Sequence, residues 1–166
     1  YETQYGIYQE QSYESHTRAE TDEFYPSGRK RHYGLLESKN NGLEVEIYSH
    51  TKNSEWNENG VLMVSMEKTA DHNPLSGDVV KEISRVVKNH PQTGKRQEES
   101  QVESRFTVIQ GQKVTVYQLT KTKEWDLKGN LTQDLCLLTE NSDAERPLRT
   151  NRSKISFDSE TKQKIS

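Results

Sequence analysis

Between residues 29 and 140, apolar side chains recur at every second position in short runs, separated by polar, glycine- or proline-bearing stretches. That period is the period of strands with one half-buried face. The clearest run is "LEVEIYS" (43–49), where Leu43, Val45 and Ile47 share one side and Glu44, Glu46 and Tyr48 the other. Before it, "RKRHYGLLES" (29–38) reads as a strand. "YPSG" (25–28) opens that strand, with proline second and glycine fourth as in a type I turn. "KNNG" (39–42) closes it, because Asn and Gly tolerate positive φ. After a polar loop around Trp56, "VLMVSMEK" (61–68) sets Leu62, Val64 and Met66 on one face.

The segment "SGDVVKEISRVVKNHP" carries a different period. Val79, Val80, Ile83, Val86 and Val87 fall at i, i+1, i+4, i+7 and i+8, one narrow stripe at helical spacing. Ser76 or Asp78 would cap the start, and Asn89–His90–Pro91 would end it, since the residue before proline avoids the α region. Three strands follow: "QVESRFTVI" (101–109), "KVTVYQLTKTKEW" (113–125) and "LTQDLCLLTE" (131–140). Short connections between successive strands build antiparallel meanders. The pattern predicts a mainly β protein, an antiparallel sandwich or partly open barrel of about 6–8 strands, with one amphipathic helix near 78–89 packed on it. No sequence repeat stands out.

Composition divides this picture into three parts. Leu, Ile, Val and Phe together number 32 of 166 residues, so the core is modest. Most of the large aliphatic residues lie within 35–140. Residues 1–28 form a polar, Tyr-rich, acidic arm with six of the eight tyrosines in the first 33 positions. Residues 29–140 form the β-rich core domain. Residues 141–166 form a polar C-terminal extension in which "KISFD" (154–158) can add an edge strand. Residues 1–27 carry six acids against Arg18, whereas 141–166 carry six bases against four acids. The two ends therefore attract each other weakly, within the screening length of about 8–10 Å.

Charge and cysteine usage then limit the function classes. A net charge of -3 argues against general affinity for nucleic-acid backbones, although Tyr33 stands beside the basic run Arg29–Lys30–Arg31–His32. One cysteine, Cys136, excludes an internal disulfide and a cysteine-built zinc site. Flanked by Leu135 and Leu137, it reads as a buried inert thiol. No apolar run reaches the 18 or so residues of a membrane-spanning helix. A first residue of Tyr rather than Met suggests processing, which fits a secreted or particle-associated protein. "NLT" at Asn130 and "NRS" at Asn151 match the glycosylation acceptor pattern.

Candidate chemistry is sparse. His16, His32, His50, His72 and His90 are spread out and form no compact ligand motif, and no phosphate-binding or nucleophile-elbow motif is present. Asp71–His72 is the best local candidate for catalysis or metal binding, but it reads more simply as a polar loop leading into "NPLSG". Ser76, His72 and Asp71 are too close in sequence to converge as a triad. No metal and no cofactor are expected.

The expectation is a non-enzymatic β-rich binding or assembly module with protein partners, including copies of itself through the N-terminal arm. Tyr5, Tyr8, Tyr13, Arg29, Lys30, Arg31 and Tyr33 are the expected contact residues, because tyrosine buries apolar area while keeping a polar tip. The alternative is a small-ligand β-cup, lipocalin-like or cone-shaped, whose pocket Leu62, Val64, Met66, Phe106, Val108, Val116 and Leu137 would line. The basic run itself starts a strand, where charges on both faces discourage unwanted pairing.

Overall fold

The computed structural model describes residues 6–8, 11–13, 15–140, 149–157 and 164–165, with side chains for 15–140. The strands are β1 (Gly6–Tyr8), β2 (Gln11–Tyr13), β3 (Ser15–Phe24), β4 (Lys30–Asn40), β5 (Glu46–Trp56), β6 (Leu62–His72), β7 (Val79–Asn89), β8 (Arg96–Ile109), β9 (Gln112–Trp125), β10 (Leu131–Glu140), β11 (Arg149–Phe157) and β12 (Lys164–Ile165). β1 and β2 make a small two-stranded sheet. The remaining ten form one open antiparallel sheet in chain order, from β3 at one edge to β12 at the other. Within each sheet every strand thus pairs with its neighbours in sequence.

The sheet is a single layer with two wet faces. The row Tyr33, Ser54, Ser65, Val87, Glu99, Lys123 and Asp134 crosses it on one face. The next row, Gly34, Asn53, Met66, Val86, Ser100, Thr122 and Leu135, crosses it on the other. Neither row is apolar enough to bury against a second layer. Leu35 and Ala70 are the buried hydrophobic residues among those described, at 6% and 5% exposure. The sandwich or barrel expected from the alternation is therefore corrected to an open sheet. Alternation gives strands, but closure needs one continuous apolar face, and here charged residues interrupt both.

Cross-strand pairs take the place of a core. On the first face His16 meets Glu37, Lys81 and Arg105 flank Glu103, and Arg85 and Arg96 both reach Glu99. On the second face Lys68 meets Glu82 at 2.8 Å and Lys88 meets Glu98 at 3.0 Å. The hydroxyls of Ser54 and Ser65, 2.9 Å apart, join two adjacent strands in the interior of the first face.

The expected helix near 78–89 is strand β7. Its apolar positions fit the helical period, but as a strand they divide between the two faces, and its charges find partners only across the sheet. Lys81, Ile83, Arg85 and Val87 fall on one face, where Lys81 and Arg85 pair with Glu103 and Glu99 of β8. Glu82, Ser84, Val86 and Lys88 fall on the other, where Glu82 pairs back to Lys68 of β6 and Lys88 forward to Glu98. The apolar residues are Val and Ile, whose branched Cβ disfavours a helix and suits a pleated surface.

Turns alternate between the two ends of the sheet. Segments 25–29, 57–61, 90–95 and 126–130 lie at one end, and 41–45, 73–78 and 110–111 at the other. The five-residue turns share one design. Asn57 N donates to Val61 O at 2.9 Å and Gly60 N to Asn57 O at 2.9 Å, with Gly60 at φ +81°. This is a type I turn followed by a left-handed residue and a bulge. At 41–45 the left-handed position is held by Glu44 at φ +59°. The structure also moves this turn later than the expected 39–42. Asn41 Oδ1 accepts from Leu43 N at 2.9 Å and Val45 N at 3.1 Å, so β5 starts only at Glu46 and Leu43 stands 73% exposed.

Four of the five pairs of adjacent turns at the same end are tied to each other. Arg29 Nη1 donates to Glu58 O at 2.8 Å, Asn57 Nδ2 to Pro91 O at 3.0 Å, and Lys95 Nζ to Lys128 O at 3.1 Å. At the opposite end Asn41 Nδ2 donates to Pro74 O at 2.6 Å. In each case a side chain of the earlier turn reaches a carbonyl of the next one. The hairpins are therefore fastened at their tips as well as along their strands.

Candidate functional site

The basic run opens β4 at a corner of the sheet beside two aromatic residues. Lys30 Nζ lies 2.7 Å from Asp22 Oδ1, 5.4 Å from the Tyr33 ring centre and 5.9 Å from that of Trp56. The Arg31 guanidinium lies 6.0 Å from the Tyr25 ring centre. Tyr25 Oη donates to Trp56 O at 2.8 Å, which fixes the first turn against the end of β5. A register slip beside Phe24 makes room for Arg31 between the pairs Glu23–His32 and Phe24–Lys30. The result is a recess of about 370 Å³ lined by Glu23, Tyr25, Arg31, His32, Glu55 and Trp56. His32 Nδ1 is buried there without a hydrogen-bond partner. The recess offers two aromatic faces, two carboxylates and a guanidinium, a surface that suits a polar side chain or chain segment better than an apolar ligand.

Arg29, Lys30, Arg31 and Tyr33 thus come together, although Arg29 and Lys30 are engaged within the chain. Tyr8 and Tyr13 lie on β1 and β2 of the small separate sheet, and Tyr5 lies outside the described residues. The expected pocket residues are dispersed. Leu62, Val64 and Met66 are on β6, Phe106 and Val108 on β8, Val116 on β9 and Leu137 on β10. Phe106 and Val108 do share a recess of about 290 Å³ with Val79, Val80 and the 73–78 turn. It is open, and Val108 is 47% exposed.

Three of the five histidines, His16, His50 and His72, serve as cross-strand links. His16 Nε2 is 2.6 Å from Glu37 Oε1, His50 Nδ1 is 3.5 Å from Glu37 Oε2, and His50 Nε2 is 2.8 Å from Glu67 Oε1. One row therefore joins β3, β4, β5 and β6. Burial pushes the Glu37 carboxyl up, but hydrogen bonds from His16 and His50 and the nearby Lys39 charge outweigh it and hold Glu37 below its ordinary value. His72 lies between Ser49 Oγ at 3.1 Å and Gly77 O at 2.9 Å, with Glu46 at 3.5 Å. A serine–imidazole contact of this kind can move a proton. Yet the His72 side chain is only 8% exposed and lines neither recess, so it locks the 73–78 turn onto β5. Ser76 bonds Asp78 instead of His72. Among the described residues, no group of three or more His, Cys, Asp or Glu is arranged to hold a metal ion, and no helix is long and apolar enough to cross a membrane.

Glu23, Tyr25, Glu55 and Trp56 are the corner residues that the sequence pattern does not place in a site, whereas His32 belongs to the basic run. A signal for them exists in the turn spacing. Gly28, Gly60, Gly94 and Gly129, all at positive φ, recur at intervals of 32, 34 and 35 residues, so each marks the same end of a two-strand unit. Tyr25 and Trp56 stand within one residue of equivalent turn starts. The chain matches no protein-family model, and no curated protein or solved structure is similar to it.

Proposed function

We propose that this chain is a non-enzymatic binding or assembly module that makes protein–protein contacts through its open sheet, with its N-terminal part taking part in self-association. The observation that carries this reading is the single layer. With Leu35 and Ala70 as the buried hydrophobic residues among those described, this part of the sheet has almost no interior, and its side chains are available to partners. The Tyr25–Trp56 corner supports the same reading, because aromatic and arginine side chains are favoured at contact surfaces.

The division into an N-terminal arm, a β-rich core and a C-terminal extension remains part of this proposal. The arm includes β3, which extends the sheet beyond β4. Replacing Arg29, Lys30 and Arg31 with serine tests the role of the corner. The expected result is weakened association with most of the stability kept. A large loss of stability with unchanged association overturns that role. Light scattering across concentration tests self-association, since a mass fixed at 19.2 kDa removes it and leaves only contacts with other proteins.

A further inference from the structure

We propose that β3 is a self-pairing edge. Two copies of the chain would join antiparallel through β3, about a two-fold axis at Ala19, into one continuous sheet. This inference rests on the assembly reading above and names its partner and register.

β3 is a ten-residue strand at the end of the sheet, and among the described residues no strand pairs with its outer side. Such an edge presents a row of unpaired amides and carbonyls. Proline and lysine, two residues that commonly blunt an edge, are absent from "SHTRAETDEF". Its one register irregularity, at Glu23/Phe24, lies at the turn end.

The order of side chains along β3 then selects the occupant. His16, Arg18, Glu20 and Asp22 share one face, set by their partners Lys39, Glu37, Leu35 and Tyr33 on β4. Read from the other end, this series is its own complement. In an antiparallel pair centred on Ala19, Arg18 faces Glu20 of the second copy and His16 faces Asp22, each twice by symmetry, shared with the contacts that Arg18 makes with Glu20, His16 with Glu37 and Asp22 with Lys30 within the chain. On the opposite face Thr17 meets Thr21, and Ala19 meets itself. Opposite charges and threonine pairs directly across a ladder are both favourable.

The neighbouring registers are less well matched. Moving the axis one residue either way sets Arg18 against Arg18 or Glu20 against Glu20 at the centre of the pair. Isologous, self-complementary contacts are the commonest way in which identical chains associate.

The test uses sedimentation velocity on the full chain over a wide concentration range, with four proteins: wild type, Arg18→Glu, Glu20→Arg and the double exchange. Wild type is expected to dimerise with concentration. Each single reversal creates two like-charge contacts and is expected to raise the dissociation constant by about tenfold or more. Mixing the two single variants restores opposite charges across the ladder, and so does the double exchange, so both are expected to recover dimer. Recovery in the mixture also shows that each variant is folded. A wild type that stays monomeric overturns the inference together with the self-associating version of the proposed function. A dimer that ignores both single reversals, or singles that weaken it without rescue, overturns the β3 register while leaving assembly by another surface in place.

Discussion

His16 and Glu37 meet across the β3–β4 ladder at 2.6 Å, with their side chains 17% and 13% exposed, on a sheet whose faces are otherwise wet. Glu37 is held in its charged form by this contact and by His50, against the opposing effect of burial. A carboxyl with a lowered folded-state value contributes stability that is fully present above its unfolded value. That contribution is lost as pH falls through the folded value. Stability against urea is therefore expected to fall in acid below about pH 4.5, the ordinary carboxylate value. Glu37→Gln is expected to cost about 1–2 kcal/mol at neutral pH and to flatten that acid slope. An unchanged slope in the variant would assign the acid sensitivity to other carboxylates.

The tip-to-tip bonds are separable from the turns that carry them. Asn57 accepts from Asn59 N at 3.0 Å and Val61 N at 2.9 Å through Oδ1, and donates to Pro91 O through Nδ2. Asn57→Ala loses all three contacts and is expected to cost about 1–2 kcal/mol. Asn57→Asp keeps the acceptor and loses only the donor, so a smaller loss is expected. Chemical denaturation of the two variants side by side measures the link between hairpins.

Glu44 holds a left-handed conformation that glycine holds in the equivalent turn at Gly60. A non-glycine residue there is strained, so Glu44→Gly is expected to stabilise the chain by about 0.5–1 kcal/mol. Gly60→Ala is expected to do the reverse by a similar amount. An added Cβ at Gly60 meets nothing within 4 Å, so any loss reports backbone conformation alone. Thermal midpoints of both variants check the pair.

Residues 79–89 offer a test of strand against helix. Alanine is the best helix former and a poor strand former. Val86→Ala is therefore expected to lower stability by about 1 kcal/mol, whereas in a helix the exposed part of the same change would favour folding. Circular dichroism of the wild type should show a β spectrum without a helical contribution.

The strands from 101 to 140 are legible because Phe106, Val108, Val114 and Val116 alternate with polar residues, and because unmistakable turn sequences bound the apolar run at Leu135–Leu138. β7 is not legible by apolar spacing, since Val79, Val80, Ile83, Val86 and Val87 follow the helical period, whereas in the strand they divide between the two faces. Its partners Glu98, Glu99 and Glu103 settle the matter, and they lie on a strand that local pattern does not connect to it. The number of layers is hidden for a related reason. Alternation at Leu62, Val64 and Met66 implies an inner face, but whether that face is covered depends on its neighbours across the sheet. Here those neighbours include Asn53, Lys88 and Glu55. The corner site was half visible. Arg29–Tyr33 is contiguous in sequence, whereas Trp56 joins it only through the β4–β5 register.

The tips fastened in series have a mechanical meaning. A load pulling the two edge strands apart across the sheet would not shear many hydrogen bonds at once. It would peel hairpins singly, each resisting through its own ladder and most through a tip bond as well. Such a ribbon gives way in small steps and can re-close in the same order, because each strand finds its partner among its sequence neighbours. Its extension under force should show a saw-tooth of closely matched events rather than one large rupture.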